Sequence, residues 1–185
     1  MGYEEGVRAM GKAEAVEKAK KVKFVIFDIH GILTDNTLFY TQDGVKSEAF
    51  CLHDRVGIKA LQDAGLGVSF LTSKVARDVE QMSKIYGVPP EMLWGSSAKM
   101  ARLDEFEQKS GLKDADICYV GDEMIDLGIM KRVFFSVAPS DGSPEARAIA
   151  DLVTEAGGGK GVARELAEFI LKAQDKWDQF VAQFK

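Results

Sequence analysis

The chain has 185 residues, 46% of them hydrophobic and 29% charged, so it can bury one substantial core without disulfides and is unlike disordered or collagen-like chains. Its formal net charge of -5 argues against a nucleic-acid partner bound through excess positive charge. No apolar run approaches the roughly 20 residues that cross a bilayer. Because the N-terminal segment is also rich in Glu and Lys, we expect no membrane partner and a cytoplasmic protein. Cys51 and Cys118 follow no metal-ligand spacing and are predicted to be reduced thiols.

Hydrophobic periodicity predicts alternating strands and helices along the chain. Residues 4–20 carry apolar side chains at helical spacing, which predicts an amphipathic helix outside the main fold. Short apolar runs typical of buried strands follow at 22–27, 68–72, 92–94, 117–120, 134–138 and 152–154. Helical patterns lie between them at 56–62, 76–86, 99–109 and 124–131. The alternation predicts a doubly wound parallel α/β sheet of the Rossmann-like kind.

Two segments depart from this alternation. Residues 37–40 and 45–50 flank a Thr-Gln-Asp-Gly turn, which predicts an inserted β-hairpin too small to be a cap domain. The glycine-rich run 157–161 predicts a flexible stretch before a C-terminal helix with an apolar stripe through residue 184. We therefore predict a single domain over residues 1–185. It comprises an N-terminal helix (1–21), a catalytic α/β core with the hairpin (22–154), and a glycine-rich tail with the C-terminal helix (155–185).

Side chains that can carry chemistry follow four of the predicted strands. They are Asp28 after the first strand, Thr72 and Lys74 at the end of the second, Lys99 at the start of the helix after the third, and Asp122 and Asp126 after the fourth. Because ligands of an open α/β sheet bind beyond the carboxyl ends of its strands, we expect these groups around one crevice. Carboxylates, a hydroxyl and an ammonium placed together suit Mg²⁺-assisted phosphoryl transfer, which needs charge neutralisation, positioning and a nucleophile.

This set, in this order, resembles the four motifs of the haloacid dehalogenase superfamily, whose first motif is DxDx(T/V) and whose last is an acidic pair such as GDxxxD. The hairpin in place of a large cap, the run Ile-Leu-Thr-Asp at 32–35, the stretch 54–58 and the glycine-rich segment 158–165 resemble the capless 3-deoxy-D-manno-octulosonate 8-phosphate phosphatases. The resemblance implies a Mg²⁺-dependent sugar-phosphate phosphatase, assembled as a homotetramer, that supplies the octulosonate for lipopolysaccharide biosynthesis.

The resemblance also implies a role for each matching residue. Asp28 would attack phosphorus and form an aspartyl phosphate. The metal ligands would be Asp28, the backbone carbonyl of His30 and Asp122. Asp126, the fourth residue of the metal site, would hold metal-bound water or Lys99. Thr72 would donate a hydrogen bond to a phosphoryl oxygen, and Lys99 would balance the charge of the phosphoryl group and Asp28.

The first motif departs from the family pattern at its second aspartate, which is His30 here. That position supplies the general acid for the leaving group and the base for water. An imidazole can perform both proton transfers near neutral pH. The departure leaves a catalytically weakened or regulatory relative open as an alternative, as well as a phosphotransferase or phosphonatase-like variant.

Three further departures concern substrate recognition. Ser73-Lys74 replaces the usual Gly-Arg, Glu48 stands where the family commonly has Lys, and Arg55 replaces a small residue. We expect Lys74 and Arg55 to bind substrate. A nonulosonate 9-phosphate therefore remains an alternative to the octulosonate 8-phosphate.

The tail is the last candidate for substrate binding. Lys160 and Arg164 offer positive charge for a carboxylate or phosphate next to the glycine run. Because the hairpin is too short to cover the crevice, we expect hairpins and tails of neighbouring subunits in a homotetramer to enclose the substrate.

Overall fold

The computed structural model describes residues 12–73 and 75–184, and its centre is a six-stranded sheet in the order β5-β4-β1-β6-β7-β8. Every neighbouring pair in this sheet is parallel. Its strands are β1 (Phe24–Phe27), β4 (Gly67–Thr72), β5 (Leu93–Gly95), β6 (Ile117–Val120), β7 (Phe135–Ala138) and β8 (Leu152–Val153), with β2 (Phe39–Tyr40) and β3 (Lys46–Ser47) forming a separate hairpin. All six predicted core strands are thus present, and their bounds differ from the predicted ones by at most two residues.

Helices cover both faces of the sheet. The helices among the described residues are α1 (Lys12–Ala19), α2 (Leu52–Asp63), α3 (Arg77–Tyr86), α4 (Lys99–Ser110), α5 (Leu127–Arg132), α6 (Pro144–Ile149), α7 (Val162–Ala173) and α8 (Trp177–Ala182). Val25 and Phe27 of β1 pack in the core under α2 and α7, whereas Phe24 and Ile26 pack in the core under α4 and α5. Successive side chains of a strand point to opposite faces, so a strand buried on both faces is apolar throughout. The predicted doubly wound α/β fold is confirmed.

The helix α6 was not predicted, although its start carries a local signal. Ser143 precedes Pro144, and the Ser143 hydroxyl accepts a hydrogen bond from the backbone N–H of Ala146 at 3.2 Å. A serine before a proline at the first helical position is a common helix start. The predicted helix over 124–131 instead begins as a 3₁₀ turn, Met124–Asp126, and continues as α5.

The N-terminal helix belongs to the core, which corrects the expectation that it lies outside the main fold. Ala15 and Ala19 of α1 are buried in the same apolar cluster as Leu166 and Ile170 of α7. The small alanine side chains let the two helices approach closely. The part of the predicted helix at residues 4–11 lies outside the described residues.

The C-terminal segment differs from the prediction in two ways. One long helix was expected, but the chain turns between α7 and α8 at Asp175, whose φ is 56°. The glycine run was expected to be flexible, but it packs against the loop after β1. A β-carbon on Gly158 would lie 2.3 Å from the carbonyl oxygen of Gly31, and the Gly159 N–H donates to the Ile32 carbonyl at 2.9 Å. The glycines therefore serve close backbone packing within the chain.

The predicted hairpin lies between β1 and α2, with Phe39 opposite Ser47 and Tyr40 opposite Lys46. Its strands are shorter than predicted, and Phe39 and Tyr40 are exposed. Within the described residues, this hairpin is the only strand pair inserted there, in agreement with a fold that lacks a large cap. Across 12–73 and 75–184, no helix has both the length and the apolar character to span a membrane.

Candidate active site

Three of the predicted chemistry-bearing residues lie where β4, β1 and β6 end. Thr72 is the last residue of β4, Asp28 directly follows β1, and Asp122 follows β6 by two positions. The backbone of Asp28 continues the ladder, since its N–H donates to the Val120 carbonyl at 2.9 Å. These three strands are neighbours in the sheet, so their carboxyl ends place the side chains in one crevice.

Asp28 is a buried carboxylate with two partners. Its Oδ1 accepts from the Ile29 N–H at 2.8 Å, and its Oδ2 lies 2.9 Å from Nζ of Lys99. Burial raises the pKa of Asp28 to about 6; Lys99 opposes this shift and Asp126 adds to it. The loop that follows folds back at once, because the Leu33 N–H donates to the Ile29 carbonyl at 2.8 Å. The carboxylate is thus held rigidly at the strand end.

Asp126 anchors the other side of the site. Its Oδ1 accepts from Nζ of Lys99 at 2.7 Å and from the Tyr119 hydroxyl at 2.5 Å. Its Oδ2 accepts from the backbone N–H groups of Asp122 and Glu123 at 3.2 and 3.3 Å. Each oxygen therefore has two donors, and Asp126 holds Lys99 in place.

Tyr119 is a site residue that the sequence analysis missed. It is fully buried in β6, and its hydroxyl also accepts from Nζ of Lys99 at 3.2 Å. Burial and the nearby Asp126 raise its pKa well above the usual value, so the hydroxyl stays a proton donor. A buried tyrosine usually needs a polar partner for its hydroxyl. A tyrosine within an otherwise apolar strand therefore indicated that a polar group lies nearby.

Three carboxylates form a group that fits a hard cation. One oxygen each of Asp28, Asp122 and Asp126 lies within 4.8 Å of the others, and all three residues are buried. Burial raises the pKa of Asp122 to about 7, and the charges on Asp28 and Asp126 add to that shift. Carboxylate oxygens are the ligands that Mg²⁺ prefers, and a bound cation would offset the repulsion between these groups. The donor set therefore fits the predicted Mg²⁺.

Lys99 is the one cation seen among these carboxylates in the described part of the chain. Only 3% of the residue is exposed. Burial alone would lower its pKa, but Asp28 and Asp126 outweigh that effect and raise it, so the ammonium stays charged.

His30 lies between the end of β4 and the segment that follows the hairpin. Its Nδ1 is 3.5 Å from Oγ1 of Thr72, and its Nε2 is 3.3 Å from a carboxylate oxygen of Glu48. Glu48 also pairs with Lys46 of β3. The structure thus brings His30 and Thr72 together, as expected, and adds a contact with Glu48 that the sequence analysis did not predict.

None of the predicted substrate-binding residues that the structure describes belongs to the group of three carboxylates. Lys74 lies outside the described residues. Arg55 is exposed on α2. Lys160 and Arg164 line a surface cavity beside His53. The Arg164 guanidinium pairs with Glu168 at 2.8 Å and lies over the ring of Trp177, so its charge already has a partner.

Residues 71–166 match the family model of the haloacid dehalogenase-like hydrolases. The chain is also similar to the 3-deoxy-D-manno-octulosonate 8-phosphate phosphatase KdsC of Escherichia coli (strain K12). The two are 30% identical over 171 residues, which cover 92% of this chain and 90% of that protein.

Solved structures give the same relationship. The 3-deoxy-D-manno-octulosonate 8-phosphate phosphatase of Moraxella catarrhalis, in complex with magnesium ion, phosphate ion and KDO, is 31% identical with a TM-score of 0.88, covering 93% of this chain and 98% of that one. The cobalt-bound deoxy-D-mannose-octulosonate 8-phosphate phosphatase of Haemophilus influenzae is 29% identical with a TM-score of 0.82, covering 89% and 99%.

Proposed function

Because the chain belongs to the haloacid dehalogenase-like hydrolase family and is a phosphoric monoester hydrolase, we propose that it is a Mg²⁺-dependent phosphatase of a small acidic sugar phosphate. The leading substrate is 3-deoxy-D-manno-octulosonate 8-phosphate. The observation that carries this proposal is the buried carboxylate of Asp28, held 2.9 Å from Lys99 within the group of three carboxylates.

In the first half-reaction, a carboxylate oxygen of Asp28 attacks phosphorus. The bond between Asp28 and phosphorus forms while the bond between phosphorus and the sugar oxygen breaks. His30 donates a proton to the departing sugar oxygen, so the sugar leaves as a neutral alcohol. The product on the enzyme is an aspartyl phosphate at Asp28.

In the second half-reaction, water attacks the same phosphorus. His30 takes a proton from the water, the bond between phosphorus and Asp28 breaks, and inorganic phosphate is released. Asp28 and His30 thereby return to their starting states. This use of one group first as acid and then as base needs the imidazole beside the phosphoryl site, and its 3.5 Å contact with Thr72 supports that location.

The remaining residues position the phosphoryl group and balance its charge. Thr72 donates a hydrogen bond to a phosphoryl oxygen, and Lys99 stabilises the charge that builds between that oxygen and Asp28. Asp28, the His30 carbonyl, Asp122 and Asp126 would hold Mg²⁺, which supplies further charge neutralisation when bound.

Similarity to proteins named octulosonate 8-phosphate phosphatases supports the substrate, with a nonulosonate 9-phosphate as the alternative. A homotetramer, a cytoplasmic location and a role in lipopolysaccharide biosynthesis go with this proposal. Because His30 stands where the family usually has the catalytic acid, the second candidate function is that of a catalytically weakened or regulatory relative.

The test is to assay the purified protein against a panel of sugar phosphates with Mg²⁺ and with a chelator, beside Asp28→Asn. We expect Mg²⁺-dependent release of phosphate, greatest with the octulosonate ester, and no turnover by Asp28→Asn. Because the amide is nearly isosteric with the carboxylate, the Asp28→Asn protein should have the same circular dichroism spectrum as the wild type. If Asp28→Asn keeps more than about a tenth of the wild-type kcat, equivalent to roughly 1.4 kcal/mol of barrier, the nucleophile is wrongly assigned. A wild type inactive on the whole panel would favour the regulatory candidate.

A further inference from the structure

We propose that Glu48 is a positioning residue that accepts the Nε2 hydrogen of His30 and thereby turns Nδ1 toward the phosphoryl site. This inference rests on the proposed function for its role in catalysis. Its structural content, one fixed orientation and tautomer of His30, can be tested without turnover.

The geometry of His30 is the first argument. Glu48 lies 3.3 Å from Nε2, while Thr72 lies 3.5 Å from Nδ1. A carboxylate can only accept a hydrogen bond, so its position beside Nε2 favours the tautomer that carries the hydrogen on this nitrogen. In the neutral ring Nδ1 is then the free acceptor, and it faces the residue assigned to bind a phosphoryl oxygen. A fixed partner on one ring nitrogen commonly sets the function of the other.

The environment of Glu48 is the second argument. Its side chain is only 1% exposed, although it follows a hairpin whose neighbouring residues are mostly exposed. A buried carboxylate costs several kcal/mol unless charged or hydrogen-bonding partners compensate. Within the described part of the chain, neither oxygen of Glu48 has a partner in hydrogen-bonding geometry, but each lies at ion-pair distance from a basic side chain, Oε1 from Lys46 and Oε2 from His30. Lys46 belongs to β3, so the carboxylate is fixed to the hairpin and to the catalytic loop at once.

The third argument comes from the two departures from the family motifs. At position 30 the usual acid is a base, and at position 48 the usual cation is an acid. These positions are 18 residues apart in sequence, yet their side chains contact each other. The chain therefore places a base and an acid opposite each other at the two positions where it departs from the family motifs. A His30 that had merely replaced a lost acid would need no buried carboxylate behind it.

The first experiment measures the tautomer of His30 by ¹⁵N NMR of the metal-free protein at a pH where the imidazole is neutral. The sequence has two histidines, so His53→Gln leaves His30 as the single imidazole signal. We expect the Nε2–H tautomer to predominate. Glu48→Met, which removes the acceptor, should shift the ring to a mixture of tautomers, and Glu48→Gln, which keeps an acceptor oxygen, should shift it less. Glu91→Met, an exposed glutamate before β5, is the matched control and should change nothing.

The second experiment compares kinetics in two backgrounds. In the wild type, Glu48→Met should lower kcat about 10- to 100-fold with little change in KM, because the proton carrier and not substrate affinity is disturbed. In a His30→Asp background, the same substitution should have no effect or raise kcat, because Glu48 would there face a second carboxylate.

The outcomes separate this inference from the proposed function. An unchanged tautomer ratio in Glu48→Met, or an equal loss of kcat in both backgrounds, would show that Glu48 has only a structural role. If no sugar phosphate is hydrolysed, the proposed phosphatase fails, and the NMR measurement alone still decides whether Glu48 orients His30. Should Glu48→Met fail to fold, Glu48→Ala, which also removes the acceptor, makes the same decision when its tautomer ratio is compared with that of Glu91→Ala.

Discussion

A β-carbon at Gly31 would lie 1.9 Å from Oδ2 of Asp122, so the turn after β1 and the carboxylate after β6 fit together only because position 31 has no side chain. Gly31 also has a φ of 80°, in the left-handed region that other residues rarely adopt. The glycine thus serves both the backbone turn and the approach of Asp122 to Asp28.

Gly31→Ala should weaken Mg²⁺ binding at least about tenfold, since Asp122 must move away from the other two carboxylates. Gly111→Ala is the matched control. Its φ is 74°, but a β-carbon there would meet nothing within 4 Å. Gly111→Ala therefore strains the backbone without displacing a neighbouring side chain. Titration calorimetry with Mg²⁺ measures the difference, and equal affinities in the two variants would contradict this role of Gly31.

The stabilisation by Mg²⁺ should grow with pH. In the metal-free protein the pKa of Asp28 is raised to about 6 and that of Asp122 to about 7, from 3.8. Because these pKa values are higher in the folded than in the unfolded protein, the two groups contribute fully to the free energy of unfolding below about pH 4. That contribution is lost as the pH rises through about 6 and about 7. Mg²⁺ binds the ionised forms and restores what is lost.

Thermal unfolding with saturating Mg²⁺ and with a chelator, at pH 5 and at pH 8, checks this. We expect the gain in Tm from Mg²⁺ to be larger at pH 8 by at least about 4 °C, which corresponds to 1 to 2 kcal/mol for a chain of this size. Asp122→Asn should lose most of that difference. A gain that is the same at both pH values would mean that these carboxylates do not hold the metal.

Lys99→Met should destabilise the metal-free protein more at pH 8 than at pH 5. Without the ammonium, the pKa of Asp28 rises further above its unfolded value, so the deficit grows as the pH rises. Loss of a buried charge partner typically costs about 3 to 5 kcal/mol. Denaturant unfolding of Lys99→Met and of Lys109→Met, an exposed lysine on the same helix α4, measures the effect. A deficit that is independent of pH would argue against the ion pair with Asp28.

Asp54 lies outside the group of three carboxylates, and its titration should make the free energy of unfolding depend on pH between about pH 4 and pH 7. Its Oδ1 accepts from the N–H groups of Ala163 and Arg164 at 2.7 and 3.2 Å, at the start of α7. Burial raises its pKa to about 6, with those hydrogen bonds opposing the shift, so its contribution is lost as the pH rises through 6. Asp54→Asn keeps an acceptor but cannot ionise, and its stability should change less over this range.

The matched control for Asp54→Asn is Asp63→Asn, an exposed position on the same helix α2. It should follow the wild-type pH dependence. Asp54→Ala should lose about 1 to 3 kcal/mol at every pH, because two N–H groups of α7 lose their acceptor. If Asp54→Asn and wild type have parallel profiles, Asp54 does not titrate as described.

The part of the site that follows from strand order could be predicted from the sequence. Asp28, Thr72 and Asp122 stand at the ends of strands, and parallel strands bring their carboxyl ends to one edge whatever the details of packing. Lys99 was predicted as the balancing cation, and the structure supplies the reason it can be buried, namely two carboxylates within 2.9 Å.

Contacts between segments of different kinds could not be predicted in this way. Glu48 reaches His30 only because the hairpin lies over the loop after β1, which no periodicity encodes. Tyr119 was read as one apolar residue of a buried strand, since its hydroxyl acts beyond the strand that carries it. The break between α7 and α8 depends on one residue, Asp175, in a conformation that local propensity disfavours.

Gly158 and Gly159 pack against the loop after β1, and this contact affects how the chain folds during synthesis on the ribosome. Asp28 is among the first residues of the sheet to be made, but the backbone that supports its loop arrives about 130 positions later along the chain. Only after residues 158 and 159 have left the exit tunnel can this loop acquire its final support. A translation product stopped before residue 157 would therefore leave the ribosome without the backbone that supports the loop around Asp28.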